Sequence, residues 1–289
     1  MDASTRIEAA LQRALARATT EGCPPRLAAA LEYAVFPGGA RVRPRLCLAV
    51  ASACGDDQPA LADAAAAAIE LLHCASLVHD DLPCFDDAAL RRGKPSTHVA
   101  FGQDIAVLTG DALIVLAFQT LAREAGAAPE RLAPLLLTIA NAVGAPLGVV
   151  AGQAWESEDD VVLVDYERAK TGSLFAAATA AGAHASGASA HTWLDVGARI
   201  GEAFQVADDI HDLIGDPAAM GKPTGQDEVH LRPNLARKQG VPAAKKRLEQ
   251  LIAAAMHSIP PCPGAKELRE LIAQEAQSFI PRGLGIRAA

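Results

Sequence analysis

Apolar residues recur with a 3.6-residue period along most of the chain, and this pattern limits the possible fold more than any other feature. It is found near residues 4–18, 25–35, 43–54, 59–82, 104–125, 129–153, 166–185, 191–215, 242–257 and 265–279. Such a period is typical of helices with one buried face. Aromatic residues make up only 4% of the chain, which further favours helix over strand. The sequence therefore predicts an all-α protein of about ten helices.

The breaks between these segments are short and rich in Gly, Pro and Asp, as in PGG at 37–39, GDDQP at 55–59 and LPCF at 82–85. The longest break, at 215–234, is polar but not of low complexity. No break has the features of an interdomain linker, so we expect one large helical domain over residues 1–289.

Charge and cysteine content exclude several classes of protein. A formal net charge of −8 argues against general nucleic-acid binding. The six cysteines form no CxxC pair, which fits reduced thiols in a cytoplasmic protein. The N-terminal helix pattern lacks the apolar centre of a signal peptide, and charge or Gly interrupts every apolar run before about 18 residues. We expect a soluble protein without stable membrane insertion.

Two acidic clusters, VHDDLPCFDD at 78–87 and ADDIHDLIGD at 207–216, each end a long apolar helical segment. In the second, Asp208 and Asp212 are four residues apart and share a helix face, with Asp209 beside them. In the first, Pro83 should break the helix, so that Asp86 and Asp87 can fold back toward Asp80 and Asp81.

Either cluster alone would more often be a solvated helix end than a metal site. Two clusters in one chain favour a metal site, because oxygen-only ligands suit a hard cation such as Mg²⁺. Mg²⁺ completes its coordination with water and substrate phosphates. The pair of clusters therefore predicts a phosphorylated substrate held through metal ions.

Cationic residues follow or flank both clusters. They are Arg91 and Arg92, Arg41 and Arg43 in GGARVRP, Lys170 in ERAKTGSLF, and Lys222 in GKP. Guanidinium groups bind phosphate oxygens in pairs, and lysine acts as a compact point charge. His73 lies two turns before Asp80 on the same helix face, either as a core histidine or as part of the site. Gln153 and Glu156 are polar groups that need partners if buried.

The ordered motifs GGARVRP, ELLHCASLVHDDLPCFDDAALRRGKPSTH, LTGDAL, AGQAWE, KTG and FQVADDIHDLIGDPAAMGKPTGQD run from about Gly38 to Asp227. In these motifs the chain resembles the trans-polyprenyl diphosphate synthases, which include farnesyl and geranylgeranyl diphosphate synthases. The resemblance implies one all-helical domain, a homodimer, and two acidic clusters that face each other across a deep cavity.

The resemblance also implies a role for each site residue. Mg²⁺ ions would be held by Asp80, Asp81, Asp86, Asp208, Asp209 and Asp212. The allylic diphosphate would be bound by Arg91, Lys170 and Lys222, and isopentenyl diphosphate by Arg43, His73 and Arg92. Lys170, Thr171 and Gln205 would be the catalytic residues, with Thr171 and Gln205 facing the carbocation.

Product length should depend on Ala75 and Ser76, the fifth and fourth residues before Asp80. Similar farnesyl-producing bacterial enzymes tend to carry a bulky aromatic residue at the fifth position, so Ala75 favours the longer geranylgeranyl diphosphate. Three departures from the family pattern bear on affinity. Ala40 replaces a lysine, Glu156 replaces an aspartate, and Gln226 lies in an altered segment where Arg232 could substitute for a lysine.

Other functions remain open at this stage. A farnesyl diphosphate synthase or a non-catalytic, regulatory prenyl-synthase-like subunit would share most of these motifs, although both acidic clusters are intact. A class I terpene cyclase usually has Asn, Ser or Thr and Glu in its second metal motif. A His-Asp phosphohydrolase built on His79 and Asp80 would need further metal-binding histidines.

Overall fold

The computed structural model describes residues 2–36, 38–158, 160, 162–214 and 234–278, and it is almost entirely helical there. The helices are α1 Ala3–Ala18, α2 Pro25–Val35, α3 Val42–Ala53, α4 Pro59–Asp80, α5 Thr97–Phe101, α6 Gln103–Glu124, α7 Leu132–Val143, α8 Val149–Ala154, α9 Leu163–Glu167, α10 Ser173–Ala185, α11 His191–Ile214, α12 Leu235–Gln239, α13 Val241–His257 and α14 Ala265–Ser278. A π-helical segment, Arg168–Gly172, joins α9 to α10. The predicted all-α class is confirmed.

The structure differs from the predicted helices in a few places. The predicted segment 129–153 is divided into α7 and α8, because Gly144, Pro146 and Gly148 interrupt it. The sequence did not predict α5, α12 or the π-helical segment. It also did not predict a two-stranded antiparallel hairpin, in which β1 Leu90–Arg91 pairs with β2 Lys94–Pro95.

The core is built around α4 and α10, whose buried faces consist largely of alanine. Residues 64–68 of α4 are five consecutive buried alanines, which allow neighbouring helices to approach closely. Larger side chains of α6 and α7, such as Leu113 and Leu135, fill one side of the core. Trp193 of α11 and Leu248 of α13 fill the other side. Helix α10 contributes buried residues to both sides and so joins them.

Two described helical segments are long and apolar enough to span a membrane by length and composition alone. In Pro59–Asp80, 78% of the apolar window is buried inside the protein, as for a core helix. In Gln103–Ala127 only 44% is buried, which leaves an apolar face on α6. Core helices meet the same criterion, so the two segments are weak evidence for a membrane protein.

Arg41 connects the Gly-rich loop before α3 to three other helices. Its guanidinium donates to Glu70 of α4 over 2.7 Å, to Glu8 of α1 over 2.9 Å and to the Val35 carbonyl over 2.9 Å. Burial alone would lower the pKa of Arg41, but these two carboxylates raise it above its usual value. Arg41 and Glu70 are 7% and 2% exposed, so this ion pair lies inside the protein.

The two glycines before Ala40 leave room for guanidinium groups. A Cβ on Gly38 would lie 2.0 Å from Cζ of Arg41, and one on Gly39 would lie 3.0 Å from Nη2 of Arg92. A side chain at Gly38 would therefore displace Arg41. The GGAR motif thus fixes the loop that leads directly to Arg43.

We predict that Arg41→Met lowers the free energy of unfolding by about 3–5 kcal/mol, because it leaves the Glu70 carboxylate buried without its main partner. Arg17→Met breaks an exposed ion pair with Glu124 and should cost less than about 1 kcal/mol. Urea unfolding followed by far-UV circular dichroism measures both variants at one protein concentration. Equal losses of unfolding free energy in the two variants would contradict the structural role of Arg41.

Candidate active site

The first acidic cluster forms where α4 ends at Asp80. The chain turns back over Pro83, and the Asp86 amide donates to the Asp80 carbonyl over 3.0 Å. Carboxylate oxygens of Asp80, Asp86 and Glu156 all lie within 4.8 Å of one another. The predicted return of Asp86 toward Asp80 is confirmed. Asp87 points elsewhere: its side chain is 71% exposed and its carboxylate lies 3.8 Å from His98.

Glu156 belongs to this group, although the sequence analysis did not assign it to the site. Its carboxylate lies 2.6 Å from Nζ of Lys170, and the same ammonium lies 3.4 Å from Asp80. Gln153 donates to Glu156 over 2.9 Å, and the Tyr166 hydroxyl donates over 2.5 Å. In the sequence, the three-residue helical spacing of the polar residues Gln153 and Glu156 was the signal that could have indicated this part of the site. No sequence feature indicated Tyr166.

Asp80 is the member of this group whose pKa is raised by its surroundings. Burial raises the pKa of Asp80, the Asp86 and Glu156 charges raise it further, and Lys170 and Arg91 oppose the shift. Crowded carboxylates of this kind are stabilised by a bound cation. Three oxygen ligands within reach of one ion suit a hard divalent cation.

Asp81 pairs with Arg91 on β1. Nε of Arg91 lies 3.0 and 3.1 Å from the two Asp81 oxygens, and Nη2 makes a further short contact with Oδ1. Burial raises the pKa of Asp81, and the Arg91 charge lowers it. The carboxylate already has a bidentate partner, so a metal-binding role for Asp81 stays a prediction.

The hairpin turn sends the two adjacent arginines to different places. Arg92 and Gly93 form the two-residue connection between β1 and β2, with φ of 54° and 75°. Positive φ at both positions is typical of a type I′ turn, where Gly is favoured at the second position. Arg91 then reaches Asp81, while Arg92 lies against the backbone of Gly39.

Arg43 and His73, which the family resemblance assigns to one substrate, lie next to each other in the structure. Nη1 of Arg43 lies 3.4 Å from Nε2 of His73, and its guanidinium stacks 4.3 Å above the ring of Phe175, with Phe204 at 5.7 Å. Burial lowers the pKa of Arg43 to about 10, which leaves it charged at neutral pH. Burial and the nearby arginines keep the pKa of His73 well below its usual value. A neutral His73 accepts at Nε2, because arginine only donates.

The π-helical segment carries Lys170 and Thr171 and is held by close backbone contacts. A Cβ on Gly152 of α8 would lie 2.4 Å from the Lys170 amide nitrogen, and one on Gly201 of α11 would lie 2.9 Å from Cα of Gly172. Short π-helical segments occur frequently at functional sites. The segment is thus packed between α8 and α11.

The second acidic cluster lies near the end of α11. Asp208 and Asp212 are one turn apart, and Asp212 is buried. The Thr171 hydroxyl donates to Oε1 of Gln205 over 3.1 Å, and the Gln205 amide donates to Asp209 over 3.0 Å. Because Lys170 lies against Asp80 and the adjacent Thr171 lies against Gln205, the π-helical segment links the two clusters.

The remaining predicted residues are placed as follows. Ala75 is 1% exposed within α4, and Ser76 donates to the His73 carbonyl over 2.8 Å. Ala40 is exposed beside Arg41. Lys222, Gln226 and Arg232 lie outside the described residues.

Comparison with known proteins identifies the family of this chain. The family model for polyprenyl synthetase matches residues 24–269. The chain belongs to this family. It is 55% identical to the geranylgeranyl diphosphate synthase of Cereibacter sphaeroides over 98% of both chains. It is 38% identical to the farnesyl diphosphate synthase of Geobacillus stearothermophilus, over 88% of this chain and 87% of that one.

A solved structure of the same family has a similar fold. The geranyltransferase of Helicobacter pylori, complexed with magnesium and isoprenyl diphosphate, matches with a TM-score of 0.77 and 29% identity. The match covers 94% of this chain and 96% of that one. The family resemblance drawn from the sequence motifs is therefore confirmed, as is the all-α fold.

Proposed function

We propose that this polyprenyl synthetase condenses isopentenyl diphosphate with an allylic diphosphate, with geranylgeranyl diphosphate as its main product. The observation that carries the proposal is the link between the acidic clusters, from Asp80 through Lys170 and Thr171 to Gln205. This link joins carboxylates for metal ions, a cation for the leaving group and polar oxygens for a carbocation. The 55% identity to a geranylgeranyl diphosphate synthase supports the same reaction.

Mg²⁺ is the proposed cofactor, and the donor set fits it. Asp80 and Asp86 at the first cluster and Asp208 and Asp212 at the second offer only carboxylate oxygens, which Mg²⁺ prefers. Bound Mg²⁺ would neutralise charge that develops on a leaving diphosphate. The magnesium in the Helicobacter pylori geranyltransferase supports this choice.

The cations of the chain have separate tasks in the proposed reaction. Lys170 and Arg91, with Lys222, neutralise the allylic diphosphate as its C–O bond breaks and the bonding electrons leave with it. Arg43, His73 and Arg92 hold isopentenyl diphosphate. Its double bond forms the new C–C bond, and the resulting cation loses a proton to a diphosphate oxygen.

Thr171 and Gln205 stabilise the carbocation in this scheme. Oε1 of Gln205 accepts from the Thr171 hydroxyl, so both oxygens lie together beside Lys170. Oxygen dipoles fixed in advance stabilise a developing positive charge without reorganisation during the reaction. Thr171 and Gln205 therefore contribute to ionisation, while Lys170 receives the leaving group.

Product length is proposed to follow from Ala75. Ala75 lies on α4, five residues before Asp80, and its small methyl group is buried in the protein core. We propose that the growing apolar chain runs alongside the helix past this small residue, whereas an aromatic ring would block its path.

Condensation by the purified protein tests the proposed function. Radiolabelled isopentenyl diphosphate and Mg²⁺ are supplied with dimethylallyl, geranyl or farnesyl diphosphate, and the products are separated by chromatography. The C20 product is expected. Failure to condense any of the three would favour a non-catalytic subunit, and a C15 product would favour a farnesyl diphosphate synthase.

In the same assay, Ala75→Tyr should shift the main product to a shorter chain, because the ring fills the space beside α4. Ala75→Ser, which keeps a small side chain, should retain the C20 product. Thermal unfolding of both variants checks the core. An unchanged product from a folded Ala75→Tyr variant would contradict this assignment.

Adjacent aspartates provide a matched pair for the metal site. Asp86→Asn removes a member of the carboxylate group and should weaken Mg²⁺ binding at least about tenfold. Asp87→Asn alters an exposed carboxylate and should change it less than about twofold. Isothermal titration of Mg²⁺ in the presence of inorganic diphosphate measures both. Equal effects would argue against the proposed ligand set.

A homodimer is proposed from an apolar surface on α6, α7 and α8. Its exposed residues include Val107, Leu108, Val115, Leu137 and Val150. Large exposed apolar areas are typical of protein interaction sites. Because the apolar window of Gln103–Ala127 is less than half buried, a second copy of the chain is the proposed partner.

Light scattering after size-exclusion chromatography should give twice the chain mass of 29.9 kDa. Leu108→Glu places a charge on the α6 face and should yield the single-chain mass. Leu194→Glu alters an exposed leucine on α11 and should leave the dimer intact. A wild-type protein that elutes at the single-chain mass would refute the homodimer.

A further inference from the structure

Asp209 of the second cluster is hydrogen-bonded to two different parts of the chain. Its side chain is buried, and both of its oxygens accept hydrogen bonds. Oδ1 accepts from Nε2 of Gln205 over 3.0 Å, and Oδ2 accepts from the Leu235 amide over 2.7 Å. Asn234 also donates to the Asp209 carbonyl over 3.0 Å. Asp209 therefore joins α11 to the start of α12.

Helix geometry separates Asp209 from its neighbours. Asp208 and Asp212 are four residues apart and share a face, whereas Asp209 lies about 100° around the helix from Asp208 and about 60° from Asp212. Its carboxylate meets the α12 backbone on that face. A carboxylate held by two donors in this way is poorly placed to bind an ion together with Asp208 and Asp212.

The hydrogen bond from Gln205 to Asp209 determines the orientation of the Gln205 side-chain amide. Oδ1 of Asp209 accepts from Nε2 of Gln205, so Gln205 presents its NH₂ group to Asp209. Oε1 then lies on the opposite side, where the Thr171 hydroxyl donates to it over 3.1 Å. Without an acceptor-only partner, the amide could adopt either direction.

We propose that Asp209 is a positioning residue that fixes the Gln205 carbonyl oxygen toward Thr171 and the reacting carbocation, and that it is not a metal ligand. This proposal rests on the proposed function, in which that oxygen faces positive charge. The reversed amide would present its NH₂ group there and disfavour the cation. Asp209 thereby acts on the reaction through Gln205.

The variant Asp209→Asn tests this role. The introduced amide has one acceptor and one donor group; when it accepts from the Leu235 amide, its NH₂ group faces Gln205. Gln205 can then satisfy its hydrogen bonds only in the reversed direction, with Thr171 as acceptor. We expect kcat to fall about 100-fold, as for loss of one preorganised dipole, with KM for both diphosphates little changed.

A second substitution should restore an oxygen that faces Thr171. In Asp209→Asn/Gln205→Glu, the new carboxylate accepts from the introduced amide and also presents an oxygen toward Thr171. We expect kcat to recover at least tenfold over Asp209→Asn. Gln205→Glu alone places two carboxylates side by side, so it should lower both kcat and the melting temperature, and Asp209→Asn should reverse most of that melting-temperature loss.

Mg²⁺ titration with inorganic diphosphate separates the two possible roles of Asp209. Asp208→Asn should weaken Mg²⁺ binding, and Asp209→Asn should leave it unchanged. Weakened binding in Asp209→Asn, or a loss of kcat that Gln205→Glu does not recover, would overturn the proposal. If the wild-type enzyme condenses nothing, the proposed function fails, but the titration and the melting temperatures still decide the role of Asp209.

Discussion

The geometry of the site depends on two ion pairs made by Lys170. Its ammonium group lies between the carboxylates of Asp80 and Glu156. Carboxylates at this spacing repel one another, and burial raises the pKa of Asp80. A cation among them lowers the cost of bringing them together. Because Lys170 belongs to a π-helical segment packed between α8 and α11, the same contacts also set the position of α11 relative to α4.

Both acidic clusters contain consecutive aspartates, and in the Asp80–Asp81 pair the two members have different surroundings. Asp80 lies in the carboxylate group, whereas Asp81 is held by Arg91 on the hairpin. Asp209 is held by Gln205 and by the start of α12. Since consecutive residues on a helix differ in direction by about 100°, a DD pair can place one acid at a site and use the other to fix the surrounding structure.

Much of the fold and part of the site could be predicted from the sequence, because helical periodicity and motif spacing are local properties. The ends of α1, α2 and α4 and the return of Asp86 toward Asp80 follow from apolar spacing, turn residues and Pro83. Other features depend on contacts between distant segments. Glu156 joins Asp80 only through tertiary packing, and Phe175 supports Arg43 from a helix more than 130 positions away.

The hairpin at Arg92 and Gly93 has a consequence for how the chain can vary. One peptide bond separates an arginine anchored to the end of α4 from one that lies on the Gly-rich loop before α3. The spacing of these two anchors is therefore fixed by covalent geometry, at about 3.8 Å between Cα atoms. A single-residue insertion in the turn would change the register of the strands and turn each arginine to the wrong side. This loop should accept changes of side chain more readily than changes of length.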